Sequence, residues 1–114
     1  MNQWRVRLTR SAEQDIADIM HWTVANFGAQ QAQLYAELIT YAITELANGP
    51  DVIGARARDE LGQDIRTLHV ARQGKKGRHF VVFRKSSPSF VDVLRVLHDS
   101  MDLQHHVLPD DLQH

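Results

Sequence analysis

The sequence predicts an α+β domain with the element order β-α-α-β-β-β, in which a helical hairpin packs on a small, mostly antiparallel sheet. Three observations predict it. Apolar and polar residues alternate at the N-terminal end; two stripes at helical spacing follow, divided by one Phe-Gly step; and the second half holds three apolar runs separated by turn sequences.

Trp4, Val6 and Leu8 alternate with Arg5, Arg7 and Thr9, the period of a strand with one wet face, which places the first strand at residues 3–9. "SAEQ" then offers Ser11 as an N-cap with Gln14 three residues on, a pair able to satisfy two free N–H groups at a helix start. Ala12, Ile16, Ile19, Met20, Thr23, Val24 and Phe27 share one helical face, so the first helix is expected over 11–26, ending at Gly28. The same period resumes in Ala32, Tyr35, Leu38, Ile39, Ala42, Ile43 and Leu46 and gives a second helix over 29–47, stopped by "NGP" at 48–50. So short a connection makes the two helices an antiparallel hairpin, with Trp22, Tyr35 and Tyr41 expected in its core or seam.

Residues 51–64 show neither period and contain two glycines, which reads as a loop with a helical turn. Strands are expected at 65–71, 79–85 and 90–98, with turns at "QGKKG" (73–77) and "SSPS". No internal repeat, low-complexity tract or linker divides the chain, and its 114 residues make one domain, 1–114.

Composition narrows the function classes. There is no cysteine, so disulfides and thiolate metal sites are excluded. No apolar stretch has the makings of a signal peptide or of a roughly 20-residue membrane span, and the expected setting is the cytoplasm. Thirteen Lys and Arg against fourteen Asp and Glu leave a net charge of -1, unlike a protein held on nucleic acid by phosphate contacts. Only residues 72–85, "RQGKKGRHFVVFRK", form a locally basic run without an acid.

The chemistry-bearing residues gather late in the chain. The glycines of "GKKG" do not open a helix and lack phosphate-loop spacing. His98, Asp102, His105 and His106 are metal-ligand types, but i, i+4 spacing joins ligands only on a helix and His98 ends a strand, so no metal is expected. The serines lack the glycines of a nucleophile elbow, and nothing supports covalent catalysis. Arg66, Arg84 and Arg95 stand one on each of the last three strands, beside His69, His79 and His98. Such a set could hold a scissile phosphate while a histidine moves a proton, or could bind a partner's carboxylates or cap the hairpin.

Five segments, "LTRSAEQDIADIMHW", "FGAQQAQLYAELI", "LANGPDVIGARARDELGQDIRTL", "RHFVVFRK" and above all "VLRVLHDSMDLQHHV", together resemble the ParE/RelE superfamily of bacterial toxin–antitoxin toxins, in its ParE branch, over about residues 5–108. The Arg-Val-Leu-His strand end followed by Met-Asp and a histidine is the most specific part. The resemblance implies a small toxin that inhibits growth, is neutralised by a ParD-like antitoxin encoded beside it, and poisons DNA gyrase when free. It further implies action by binding, without catalysis, cofactor, metal, membrane or direct sequence-specific nucleic-acid contact. Its functional surface would be Arg66, Arg84, Arg95, His98 and Asp102, with the antitoxin in an apolar groove between hairpin and sheet.

Two alternatives come with the superfamily. One is a RelE-like, ribosome-dependent mRNA endonuclease with Arg84 and Arg95 on the phosphate; the other is an inactive homologue serving antitoxin binding and operon regulation. The chain departs from the nuclease pattern in its slight negative charge, in Phe83 where relatives often carry tyrosine, and in a "PDDLQH" tail. It departs from a typical ParE in the longer "ARQGKKGRH" connection.

Overall fold

A computed structural model describes residues 4–71, 74, 76–86 and 88–101. Strand β1 (Arg5–Leu8) leads into helix α1 (Arg10–Phe27), and helix α2 (Ala29–Glu45) follows after Gly28. Gly28 takes φ +91 and its N–H closes on the Val24 carbonyl at 2.9 Å, so one residue ends the first helix and opens the second. A 3-10 turn at Leu46–Asn48 stops at Gly49, whose φ of +111 turns the chain beneath the Trp4 indole. Strands β2 (Arg56–Ala57), β3 (Ile65–His69), β4 (His79–Ser86) and β5 (Phe90–His98) complete the element order.

The five strands form one sheet in the order β1-β5-β4-β3-β2, antiparallel throughout except that β1 lies parallel to β5. The expected α+β hairpin-on-sheet architecture holds, with one added strand: β2 lies within the segment expected to be a loop. It pairs Arg56 with Thr67 and Ala57 with Arg66, and two residues are too few for an alternation to show in a sequence.

The start of α1 also differs from expectation. Thr9, not Ser11, is the N-cap: its Oγ1 accepts the Ala12 N–H at 3.0 Å and donates to the Leu94 carbonyl at 2.8 Å. The Thr9 N–H also donates to the Val93 carbonyl, so the β1–β5 pairing fixes where the helix begins. That is a contact between residues more than eighty apart, invisible to a local capping pattern.

Helices cover one sheet face. Ala12, Leu38, Ile39, Ala42 and Leu46 pack there against Leu68, Val70, Val81, Phe83, Val91, Val93 and Val96. Ile65, Val82, Leu94 and Leu97 form a second buried group on the opposite face, joined by Leu61 and Phe80. Central strands buried on both sides explain the near-continuous apolar runs of β4 and β5. The β4–β5 register slips between Val82, which faces Arg95, and Phe83, which faces Val93, leaving Leu94 as the extra residue of a bulge.

The α1 stripe leaves the core before the helix ends. Ile16, Ile19 and Met20 pack inward, but Val24 and Phe27 are exposed, as are Trp22 and Tyr41, which were expected to be packed. Only Tyr35 of the three expected aromatics is seated. Among the described residues no helix is long and apolar enough to cross a membrane.

Candidate functional site

The exposed end of the hairpin forms one wall of a groove of about 1220 Å³, and the facing ends of β4 and β5 form the other. Ile19, Trp22 and Phe27 line the helical side, with Met101 across from them and Lys76 and Arg78 along the rim. Trp22 and Phe27 stack edge to face with ring centroids 5.7 Å apart, yet remain 60% and 64% exposed. Apolar surface held rigid and wet in this way is the usual mark of a place where another chain settles.

The floor of the groove is polar and closely bonded. The Tyr35 hydroxyl accepts the Arg78 N–H at 2.9 Å and lies 2.6 Å from His79 Nδ1. Which of the two atoms donates in that bond is set by the imidazole tautomer, since the hydroxyl can give its proton to Nδ1 or accept one from it. Burial, and then the neighbouring His98, push His79 down to about 4, so the ring is neutral at pH 7. Burial likewise raises the Tyr35 phenol.

Beside this pair, His69 accepts the Ala71 N–H at Nδ1 and donates from Nε2 to Asp99 Oδ2 at 3.0 Å. That hydrogen bond, with Arg78 3.4 Å away, holds the Asp99 carboxyl below its ordinary value. His98 packs edge-on to His79 at 5.2 Å and receives the Ser100 N–H at Nδ1.

Of the described residues expected to form a functional surface, only His98 lines this groove. Arg95 on β5 is turned to α1, where its Nε and Nη2 donate to the Asp15 carboxylate at 2.7 and 2.9 Å. Arg66 on β3 reaches Asp51 at 3.3 Å, with its Nη1 buried and without a hydrogen-bond partner among the described residues. Arg84 stands two residues beyond Val82, on the sheet face away from the helices, opposite Asp92 in register. Asp92 itself holds Arg7 at 2.6 and 3.0 Å and the Ser86 hydroxyl at 2.6 Å. The three arginines thus face different neighbours and do not form one cradle. Asp102 lies outside the described residues.

Sequence reasoning missed Asp15, Tyr35, Arg78 and Asp99 as members of these networks. Asp15 did leave a signal: it is an acid directly beside the apolar stripe of α1, next to Ile16. Among the described residues, no three His, Cys, Asp or Glu side chains are placed to hold a metal ion.

Comparison with known proteins agrees over nearly the whole chain. The family model of the ParE toxin of the type II toxin-antitoxin system parDE matches residues 6–103. Toxin ParE1 of Mycobacterium tuberculosis is 30% identical over 99 residues, covering 87% of this chain and 93% of the relative. Among solved structures, one of the chromosomal ParDE system from P. aeruginosa superposes with a TM-score of 0.70 at 18% identity, over 86% of this chain and 98% of that one. The toxin–antitoxin complex RelBE2 from Mycobacterium tuberculosis gives 0.56 at 21% identity, over 86% and 93%, and shares the fold.

Proposed function

This chain belongs to the ParE family, the toxins of type II toxin–antitoxin systems, and from that membership we propose that it acts in the cytoplasm by binding, not by catalysis. In the resting state a ParD-like antitoxin holds it; when released, it engages DNA gyrase. The observation that carries the antitoxin half is the groove, with the exposed Trp22 and Phe27 on one side and Lys76 and Arg78 on its rim. Its shape and chemistry suit an amphipathic segment whose apolar face meets the aromatics and whose acidic flank meets the rim.

The gyrase half rests on family membership. In the functional surface we retain Arg84 and His98, which are not committed to joining the hairpin to the sheet. Arg95, bound to Asp15, serves the fold first.

Two experiments test the reading. Antitoxin-free protein is added to gyrase, scoring loss of supercoiling and linear cleaved DNA, and in parallel to a translation reaction scored for mRNA cuts. Cleaved DNA with intact mRNA is expected. Codon-positioned mRNA cuts with untouched gyrase would replace the proposal with the RelE-like endonuclease, a reading the RelBE2 likeness in fold keeps in the comparison. In that case Arg84→Ala abolishes cleavage while antitoxin binding survives. Absence of both activities, with no slowing of growth on overexpression, identifies an inactive homologue.

A further inference from the structure

The groove reaches the point where the last strand hands the chain on. After β5 the Ser100 N–H donates to His98 Nδ1 and the Met101 N–H to the His98 carbonyl, each at 3.1 Å, a turn that brings Met101 to the groove across from Trp22 and Phe27. Residues 102–114, "DLQHHVLPDDLQH", continue from there. They hold the apolar Leu103, Val107, Leu108 and Leu112 and the acids Asp102, Asp110 and Asp111, with no Lys or Arg. The groove is their complement. Its aromatic wall is exposed, and its rim carries Lys76 and Arg78, the latter 71% exposed even with its contact to Asp99. Trp22 and Phe27 are five residues apart on α1, about 7.5 Å along its axis, a separation that two apolar side chains of one short segment can match.

We propose that the segment following Met101 folds back into the groove of its own chain, laying Leu103, Val107 and Leu108 over Trp22 and Phe27 and bringing Asp110 and Asp111 to Lys76 and Arg78, so that the free toxin carries its own competitor for this surface.

Tethering favours this occupant over a second copy. The segment starts at the groove with no linker to cross, and a short tether gives an effective concentration of about 1 mM, far above that of a second copy in a dilute solution. A segment that binds in trans with a dissociation constant of only about 0.2 mM is then in place about five-sixths of the time, and any other ligand meets a groove weakened about sixfold. The proposal concerns the antitoxin-free toxin, and it stands or falls whatever else uses the groove.

Nuclear magnetic resonance on the full-length chain tests it, because the two tryptophans, Trp4 and Trp22, each report through one indole proton. Relaxation of the Trp22 indole by a soluble paramagnetic agent should rise at least threefold in Leu103→Ser/Val107→Ser/Leu108→Ser, while that of Trp4, beneath which Gly49 turns, stays constant and marks an intact fold. Asp110→Lys/Asp111→Lys, which keeps every apolar residue, should raise it by a smaller factor. A synthetic peptide of residues 102–114 should bind the triple variant and shield Trp22 again, and should bind the parent about sixfold more weakly. Equal Trp22 relaxation in the parent and both variants, or a peptide that binds parent and triple variant alike or neither, would overturn the proposal. Shielding in the parent that fades on dilution, with a dimer in sedimentation, would overturn it in favour of a segment lodged in a second copy.

Discussion

Replacing Asp15 with alanine should cost the fold about 3 kcal/mol, a large share of the 5–15 kcal/mol by which such domains are stable. Asp15 Oδ2 accepts the Arg95 Nε–H at 2.7 Å and the Val96 N–H at 2.9 Å, while Oδ1 accepts from Nη2 at 2.9 Å. The two side chains are only 13% and 19% exposed. The substitution takes the carboxylate away from a largely buried guanidinium and leaves the Val96 N–H without that acceptor. Fully buried pairs lose about 3–5 kcal/mol when one partner goes, and an unpaired N–H about 1–3. We take the lower end because Arg95 retains some access to water and other contacts.

With a urea slope of about 2 kcal/mol/M, that loss moves the midpoint down by about 1.5 M, read by far-ultraviolet circular dichroism. Asp15→Asn keeps one acceptor and should lose about half as much. Arg95→Met combined with Asp15→Ala should lose clearly less than the two single losses added, because each single variant already removes the one interaction the two side chains share. A loss below about 1 kcal/mol for Asp15→Ala, or strict additivity in the double variant, would refute the assignment of Arg95 to the fold.

Thr9→Ala should lower stability by about 1 kcal/mol, and Ser11→Ala by only a few tenths, in the same urea assay. Gly77→Ala overpacks Val70 and should cost about 1–3 kcal/mol, visible as a lower thermal midpoint. Trp22→Ala, tested by calorimetric titration with the cognate antitoxin, should weaken binding by about 2 kcal/mol with little change in urea midpoint, since the ring is 60% exposed in the free toxin. Because His79 falls from 6.5 to about 4 on folding, the unfolded chain binds more protons between those values. The stability that comes from keeping it neutral is complete above about pH 6.5 and declines by about 2 kcal/mol as pH approaches 4, after allowance for partial solvent access. The difference between parent and His79→Asn stability across that range measures it.

The helices and three longer strands were legible because each repeats a period over several turns or several residues, as in the Leu38–Ile39–Ala42 stripe and the Phe80–Phe83 run. What escaped was whatever depends on a neighbour distant in sequence. The cap at Thr9 needs Leu94, the short β2 needs Arg66 and Thr67, and the fate of Arg95 needs Asp15. Arginines on neighbouring strands read as a cluster in one dimension, yet strand alternation and the Leu94 bulge send them to different neighbours. The aromatic wall of the groove was not foreseen: Phe27 had the spacing of a core residue and Trp22 was expected in the core or the hairpin seam, yet both are exposed.

The parallel pairing of β1 with β5 constrains how the molecule is made. Among the described residues the first strand has β5 as its only sheet neighbour, and both the helix start at Thr9 and the Asp15 carboxylate bind β5. A chain made from its N-terminus therefore lacks the β5 contacts of β1, Thr9 and Asp15 until residues 90–98 have been added. Pairings between residues so far apart in a chain form slowly as a class, and chains that await them are exposed to proteolysis and aggregation. A chain interrupted before Phe90 lacks the strand to which β1 and the start of α1 are joined.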